Sequence, residues 1–581
     1  MAFYKEPAML RKYPVDLERV DFFQYFIVAL CLVVYAGSLF FPLFDKDAAH
    51  HANIAMYMYE HNDYVSLVDR GRDYLDKPHF LFWSSLLSFK IFGLNTFAHR
   101  FPAVLFSLLS IYSTYKLTRH LSDKTTAKLA GLTLATAQAF ILSVTDARME
   151  TPLTAAIILG LWQLIVYIDG QKLINLFIAA VGAAMAFSTK GWLGPVIILI
   201  AAFFYIVLNR KWHVLLSLKT WLFIPLFFLF ISPVLYAYYL QYDLHSEKVI
   251  RGRDHISGVK FILWDQLFER YKGFDVGGRN SGYFFLYHTF LWAFFPWSII
   301  AAAALFFWLK KMLYQKQWRD PLNFSALSFA FILFAISFSK FKMPHYIIML
   351  LPLSAIFTAS YLKFILSYSK AVRFYLPLQM VFAVLTFIAI VILNFYFFGP
   401  VNVFVRIIGP VTLILFAAFM LKGFNNNRGM KVIYLTAVLS LAFNFFLNYN
   451  FFPNLLKYQG GNELVTLMRE QNMTIPDSNI VLIESGAHSF DFYRNYSHEV
   501  AHTDIFLNGY PNMNDKYFLL NNRIKDVLVR EGYSVQPVVS HLDYNVTTVQ
   551  LKFLNPSTRL KNCDTLMLAK IYKQVTKRFS E

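Results

Sequence analysis

Asp47, His51, Asp76, Lys77, Asp146, Arg148, Glu150, Lys190, Lys340, Lys342 and His345 are the residues of this chain best placed to do chemistry. Each stands near the end of a long uncharged run, where a charge at bilayer depth must be paired or solvated by a cavity. Carboxylates so placed suit proton abstraction. Lysines suit neutralisation of an anion on which charge develops. Asp45 and Asp47 follow directly on the uncharged stretch from Phe22 to Phe44, and the same connection goes on through His50, His51, Arg70 and Arg72 to Asp76-Lys77-Pro78. Within it, Ile54, Ala55, Met58 and Tyr59 recur at helical spacing and predict an amphipathic helix. Acids, bases and histidines are thereby gathered in one segment beside lipid.

The elements that must hold these groups follow from composition. Of 581 residues, 57% are hydrophobic and 15% charged, against roughly 25% charged in a soluble domain. The chain reads as a polytopic α-helical membrane protein. Its formal net charge of +19 does not point to nucleic acid, because the lysines and arginines fall in short clusters between apolar runs, the pattern that sets orientation in a bilayer. Cys31 and Cys563 cannot build a disulfide framework. The first apolar run is too long for a signal peptide and lacks a small-residue cleavage site, so it reads as a permanent span.

Runs near the roughly 20 residues a bilayer requires predict about thirteen transmembrane helices: 22–43, 101–118, 127–145, 151–168, 173–189, 191–208, 220–240, 283–308, 322–339, 344–362, 374–397, 401–421 and 432–452. Phe80 to Gly93 is short, carries Lys90 and reads as interfacial. With residues 1–21 cytoplasmic, the inner loops hold Arg119, Lys124 and Lys128; Lys172; Arg210 and Lys211; Lys310, Lys311, Lys316 and Arg319; Lys363, Lys370 and Arg373; and Lys422, Arg428 and Lys431. All are basic, as the orientation rule requires. The outer loops, among them 44–100 and 241–282, collect Asp47, Asp76, Lys77, Arg100, Arg148, Glu150, Lys190, Lys340, Lys342 and His345 on one rim. Such a rim suits an anionic lipid headgroup. The segment Arg251 to Arg279, glycine-rich and mixed in charge, reads either as a mobile cover over the site or as a solvated connector.

Residues 22–452 are thus expected to form the membrane domain, and an odd number of spans places residues 453–581 outside. In that tail, Ile480 to Ile483, Val535 to Val539, Val546 to Phe553 and Thr565 to Tyr572 read as strands, and Glu463 to Glu470 and Tyr517 to Arg530 as helices. The alternation predicts a small C-terminal α/β domain.

The order Asp47-Ala-Ala-His-His, Asp76-Lys77-Pro78, Arg100-Phe101-Pro102, Lys190-Gly191, Phe295-Pro296-Trp297-Ser298 and Ser339-Lys340-Phe341-Lys342-Met343-Pro344-His345-Tyr346 resembles the bacterial lipid A 4-amino-4-deoxy-L-arabinose transferases. These are relatives of the protein O-mannosyltransferases within the C-type membrane glycosyltransferases. The resemblance covers about residues 20 to 365 and, in architecture, the tail. It implies a multi-pass protein of the inner (plasma) membrane with a C-type glycosyltransferase fold, which takes a sugar from a polyprenyl (undecaprenyl) phosphate at the external face. Where that family carries an Asp-Glu dipeptide, Asp47 matches the first residue and Ala48 stands at the second. Asp76 and Lys77 match an acidic residue and the lysine of a Lys-Pro-Pro motif, His79 replacing its second proline. Tyr346 matches a tyrosine after a Lys-Leu-Pro-type motif in which Met343 replaces the leucine.

The residues support that chemistry by themselves. A sugar on a lipid phosphate is already activated, so the remaining tasks are to deprotonate the acceptor and to neutralise the departing phosphate. Asp47 is the expected general base and Asp76 its alternative, in a role that typically gives a factor of 10²–10⁴. Lys77, Lys190, Lys340 and Lys342, with Tyr346, are the expected ligands of the donor phosphate. His51, Arg100, Arg148, Glu150 and His345 are further site candidates. Direct displacement would invert the anomeric centre. Asp47 and His51, at i and i+4, are the candidate ligands of a divalent metal; no other cofactor is expected. The expected partners are the bilayer, the polyprenyl-phosphate sugar and a glycolipid acceptor such as lipid A, with a protein acceptor as the alternative. A transporter or flippase of lipid-linked sugars would instead show internal repeats or paired broken helices, and a scaffold has no need of acids and lysines on one rim.

Overall fold

The computed structural model describes residues 17–573, except 251, 253, 269–280, 317–319, 341, 368, 400–402, 404, 406, 408–410, 412–427, 508–509 and 512. Most of the expected 401–421 span, Arg406 included, the loop cations Arg270, Lys272 and Arg279, and Lys422 therefore lie outside the described residues, as does the start of the amino terminus. The first part of the chain is a helical bundle: α1 (Leu17–Gly37), α2 (His50–His61), α3 (Phe80–Phe92), α4 (Thr96–Leu121), α5 (Lys124–Ala135), α6 (Gln138–Thr145), α7 (Glu150–Gly170), α8 (Leu173–Lys190) and α9 (Leu193–Asn209), followed by further long helices. Among the described residues, six helices are long and apolar enough to cross a membrane, or seven if one bent pair is a single span; α9 and α3 are among the shorter apolar helices.

Two of the expected spans are broken. The run 127–145 is split into α5 and α6, which meet at 54°. In a membrane the carbonyls freed by such a break must be satisfied from within the protein. Tyr35 donates to the Ala135 carbonyl at 2.9 Å and Ser440 to the Thr136 carbonyl at 2.6 Å. The Trp297 indole donates to the Thr136 hydroxyl at 2.8 Å, and Gln138 and Asn444 exchange amide hydrogen bonds. The 283–308 run is likewise two helices, Phe285–Ala293 and Ser298–Gln315, parted at Phe294–Trp297 because Pro296 cannot donate a helical hydrogen bond. Nor does the first span continue to residue 43. α1 stops at Gly37, and Ser38 to Phe44 is irregular.

Helices α7 and α8 cross in close backbone contact. A Cβ on Gly182 would stand 2.7 Å from the Gly160 backbone, and one on Gly160 3.3 Å from the Ala183 backbone nitrogen. Small residues at such a crossing let the backbones touch, the means by which helices associate where lipid is as apolar as the side chains. Because α7 begins at Glu150 and α8 ends at Lys190, this contact sets the distance between those two charges.

From Gly460 the chain forms a mixed five-stranded sheet in the order β4-β3-β5-β7-β6: β3 (Ile480–Ile483), β4 (Glu499–Ala501), β5 (Tyr517–Asn521), β6 (Tyr533–Asp543) and β7 (Asp564–Lys573). Strands β3, β4 and β5 run parallel, and β7 pairs antiparallel to β5 and β6. Two strands of the first connection, β1 (Val68–Asp69) and β2 (Arg72–Asp73), form a separate hairpin. Two expectations for the tail fail. Tyr517 to Asn521 is a central strand rather than the start of a helix, because a short apolar run buried on both faces has no period to read. Val546 to Phe553 is not a strand. It is held instead by apolar packing, with Val546 and Phe553 in one core with Phe41, Leu43, Phe44, Leu455 and Leu456, so the bundle exit and the sheet domain share a hydrophobic seam.

Replacing Gly182 by Leu is expected to cost about 1–3 kcal/mol or more through overpacking. The check is thermal unfolding of the detergent-solubilised protein. Unchanged stability would mean that the α7–α8 contact is looser than drawn here.

Candidate active site

The site is assembled from three connections at one end of the bundle. The first is the wide helical turn Asp45–Ala49 leading into α2. The second is the hinge between α6 and α7, where Ala147 takes a positive φ of 46° and turns Arg148 back toward Asp146. The third is the segment after the Asn323–Ser337 helix, where Pro344 opens a short 3₁₀ turn bearing His345 and Tyr346. α8 brings Lys190 up from below.

Arg148 is the hub of the upper half. Its Nε donates to Asp146 at 2.6 Å, its Nη1 stands 3.3 Å from an Asp47 carboxylate oxygen, and the same nitrogen donates to His345 Nδ1 at 2.9 Å. Because Nδ1 accepts from a guanidinium, the proton of a neutral His345 sits on Nε2. Nε2 faces Glu150 at 3.5 Å. Glu150 is the hub of the lower half: it accepts from Lys190, and both are nearly inaccessible, at 2% and 4% exposure. The Tyr346 ring lies over the Lys190 ammonium, 4.4 Å from its centroid. Asp47, Arg148, His345, Glu150, Lys190 and Tyr346 are therefore one continuous network. The Asp47 side chain is about half exposed, and those of Arg148 and His345 are partly so, which opens the upper half of the network to the outside.

Asp76 and Lys77 pair with each other, both side chains partly exposed. His51 is buried between these groups. Burial first, and then its neighbour His50, hold it well below the usual imidazole range, while Asp47 and Glu150 pull the other way. Burial likewise raises Asp146 to about 6, against the pull of Arg148. Arg100 is elsewhere. It is wholly buried and donates to the carbonyls of Ser38, Pro42 and Thr145, with Phe41 stacked at 4.4 Å. It thus satisfies the irregular exit of α1 and does not reach the network. Lys342 is also occupied: its ammonium donates to the carbonyls of Ser337 and Ser339 at 2.8 Å each, closing the end of a helix. Lys340 is exposed in the same connection. Among the described residues no three His, Cys, Asp or Glu side chains converge as metal ligands, so the expected Asp47 and His51 pair gains no third donor.

Sequence reading missed two parts of this arrangement. Gln266 donates to the Asp76 carbonyl at 2.8 Å, and Trp192 donates to the Leu263 carbonyl at 2.8 Å. Through them the described part of the external segment lies against both the Asp76-Lys77 and Lys190-Gly191 stretches. Gly191, with φ +65° and a would-be Cβ 2.4 Å from Gln266 Oε1, leaves the room for it. A lone glutamine in a loop carries no sequence signal; the Gly-Trp pair after Lys190 was the only mark. Asp45 also faces away from the site. It accepts from the Ser489 backbone N–H at 2.6 Å in the sheet domain, while Arg70 binds Asp491 and the Ser485 carbonyl there.

The family model described as dolichyl-phosphate-mannose-protein mannosyltransferase matches residues 76–237, the stretch that carries Asp76, Lys77, Arg148, Glu150 and Lys190. The undecaprenyl phosphate-alpha-4-amino-4-deoxy-L-arabinose arabinosyl transferase of Pseudomonas aeruginosa is 25% identical over 318 residues, 54% of each chain. Over that half, this chain is similar to those transferases. An uncharacterized protein of Aquifex aeolicus is 27% identical over 467 residues, 80% of this chain and 85% of that one. In fold, the crystal structure of ArnT from Cupriavidus metallidurans bound to undecaprenyl phosphate superposes with a TM-score of 0.72 over 95% of this chain and 98% of that chain, at 17% identity. The match to the Pseudomonas enzyme spans about half of its length. The resemblance read from the motif order is borne out in sequence and in fold.

Two outcomes follow from this geometry. Glu150→Gln leaves the Lys190 ammonium buried without a counter-charge, and is expected to destabilise by about 3–5 kcal/mol. Glu150→Gln with Lys190→Met should recover most of that loss, and a double-mutant cycle by chemical denaturation reads the difference. Second, burial raises Asp45 to about 7. A carboxyl with a raised folded pKa contributes stability that is fully present below its unfolded value near 4 and is lost as pH rises through about 7. Hydrogen-exchange protection at the Asp45–Ser489 seam, taken relative to the intrinsic exchange rate at each pH, should therefore fall between pH 5 and pH 8, and Asp45→Asn should remove that fall.

Proposed function

We propose that the protein is an integral-membrane glycosyltransferase that moves a sugar from a polyprenyl-phosphate carrier to a glycolipid acceptor such as lipid A, by inverting displacement. The single observation that carries this reading is the network from half-exposed Asp47 to buried Lys190, set beside the Asp76–Lys77 pair in a chain related to arabinosyl transferases. We infer the full thirteen-span topology with an inner-membrane location, a cytoplasmic amino terminus and an external sheet domain from the charge pattern.

In this mechanism Asp47 takes the proton of the acceptor hydroxyl. The freed oxygen lone pair forms the bond to the anomeric carbon, while the bond from that carbon to the phosphate oxygen breaks and its electron pair leaves with the lipid phosphate. Arg148 aims Asp47 through the ion pair at 3.3 Å. Lys77 receives the phosphate in competition with Asp76. Lys190, already neutralised by Glu150, acts by fixing Glu150, His345 and Tyr346 rather than as a free cation. The match to the mannosyltransferase model supports a second reading, in which the acceptor is a protein hydroxyl. The chemistry at Asp47 and Lys77 is the same for both.

The test is to incubate purified protein with a panel of polyprenyl-phosphate sugars and both acceptor classes, and to follow transfer of label. Asp47→Asn is expected to lower transfer by about 10²–10⁴ with donor binding retained, and unchanged turnover would remove Asp47 from the mechanism. Lys77→Met should raise KM for the donor. An effect confined to the acceptor would contradict its role.

A further inference from the structure

A cavity of about 450 Å³, within the size range of small-molecule pockets, lies outside the acid–base site. It is a groove between α9 and the Phe223–Tyr238 helix, with Leu199 and Phe203 on one wall, Ile224 and Phe228 on the other, Trp192 at one end and Trp221 at the opposite end. Thr220 is its one polar lining residue, and its hydroxyl is taken by the Val214 carbonyl at 2.6 Å. Leu199, Phe203, Ile224, Phe228 and Trp221 are each about half exposed, so the groove opens sideways, where a bilayer lies.

The two ends of the groove differ. Trp192 follows Lys190 and Gly191 and sits under the site. α9 then runs away from the site and ends at Asn209, so Trp221 marks the opposite membrane face. From Trp192 to Ile206 the helix advances roughly 21 Å at 1.5 Å per residue, more than the roughly 15 Å of one hydrocarbon leaflet.

The far mouth is basic. Arg210, His213 and Lys219 are exposed there. Lys211 is paired with Asp169, which also accepts from His120 at 2.6 Å and from Tyr205 at 3.0 Å, so that cluster adds no net charge. Trp212 and Trp221, both about half exposed, flank the mouth as side chains of the lipid–water boundary do. An apolar slot long enough to take an acyl chain through one leaflet, with two cations at its interfacial end, has the chemistry of a phospholipid with an anionic headgroup.

We propose that this groove binds one anionic phospholipid from the leaflet opposite the acid–base site, with an acyl chain along α9 and the phosphate at Arg210 and Lys219. The sugar donor is a poorer occupant, because its phosphate must reach Lys77 at the other end of the bundle. The assignment does not depend on the proposed transfer reaction.

To test it, the protein is reconstituted in vesicles of phosphatidylcholine and phosphatidylglycerol in equal parts, re-extracted in mild detergent, and its retained lipid is measured by native mass spectrometry. Wild type should retain phosphatidylglycerol in preference to phosphatidylcholine. Arg210→Gln with Lys219→Gln, both at exposed positions, should weaken phosphatidylglycerol retention by about fivefold for each charge removed. Ala202→Phe, which fills the groove, should reduce retention of both lipids, and thermal unfolding checks that the variants are folded. Equal retention of the two lipids by wild type, or retention untouched by the charge substitutions, overturns the proposal. Displacement of phosphatidylglycerol mole for mole by a polyprenyl phosphate also overturns it, and would make the groove part of the donor site.

Discussion

The pairing of Glu150 with Lys190 is the interaction on which the rest of the site depends. Two charges that are almost fully buried at the end of a helical bundle are tolerable only when each satisfies the other. That requirement fixes the tops of α7 and α8 against each other. It also explains why His345 and Tyr346 sit where they do: one turns Nε2 toward the shared carboxylate and the other covers the ammonium with its ring. Arg148 carries the same constraint upward to Asp47. The exposed carboxylate is held by a chain of partners whose last member lies deep in the protein.

A second constraint is backbone satisfaction where helices stop inside the bundle. The bend between α5 and α6 and the irregular exit of α1 both free carbonyl groups. They are met by Tyr35 and Ser440 in one place, where Trp297 also holds the Thr136 hydroxyl, and by Arg100 in the other. These residues touch none of the groups expected to react, yet they set where Asp146, Arg148 and Asp47 emerge. Arg100 and Lys342 show how a conspicuous cation near a membrane boundary can serve the backbone instead of a ligand.

The sheet domain is seated on the first external connection rather than tethered beside it. Apolar contacts run from Phe41 and Phe44 to Phe553, and polar ones from Asp45 to Ser489 and from Arg70 to Asp491. His498 bridges Asp491 at 2.8 Å and Asp477 at 3.3 Å, so Arg70 meets a carboxylate that is itself already held. The turn carrying Asp47 is thereby gripped from both sides, by Arg148 in the bundle and by the seam at Asp45. A membrane helix end, which would otherwise fray, becomes a fixed mount for the Asp47 carboxylate.

The amino-acid sequence by itself determined the membrane class, most of the helix positions, the gathering of titratable groups near helix ends and the order of motifs that carries the resemblance. Hydrophobic run length and charge clustering are local properties, and they survive without any knowledge of packing. It could not tell which of the gathered cations were available, because Lys190 meets its counter-charge Glu150 only through the packing of two helices and Lys342 folds back onto the carbonyls of a helix end. The pairing of Glu150 with Lys190, the diversion of Arg100 and Lys342 to carbonyl groups, the turning of Asp45 toward the sheet domain and the strand at Tyr517 to Asn521 were decided only by tertiary structure. All but the Lys342 contacts join residues far apart in the chain, and burial sets the cost of leaving a polar group alone.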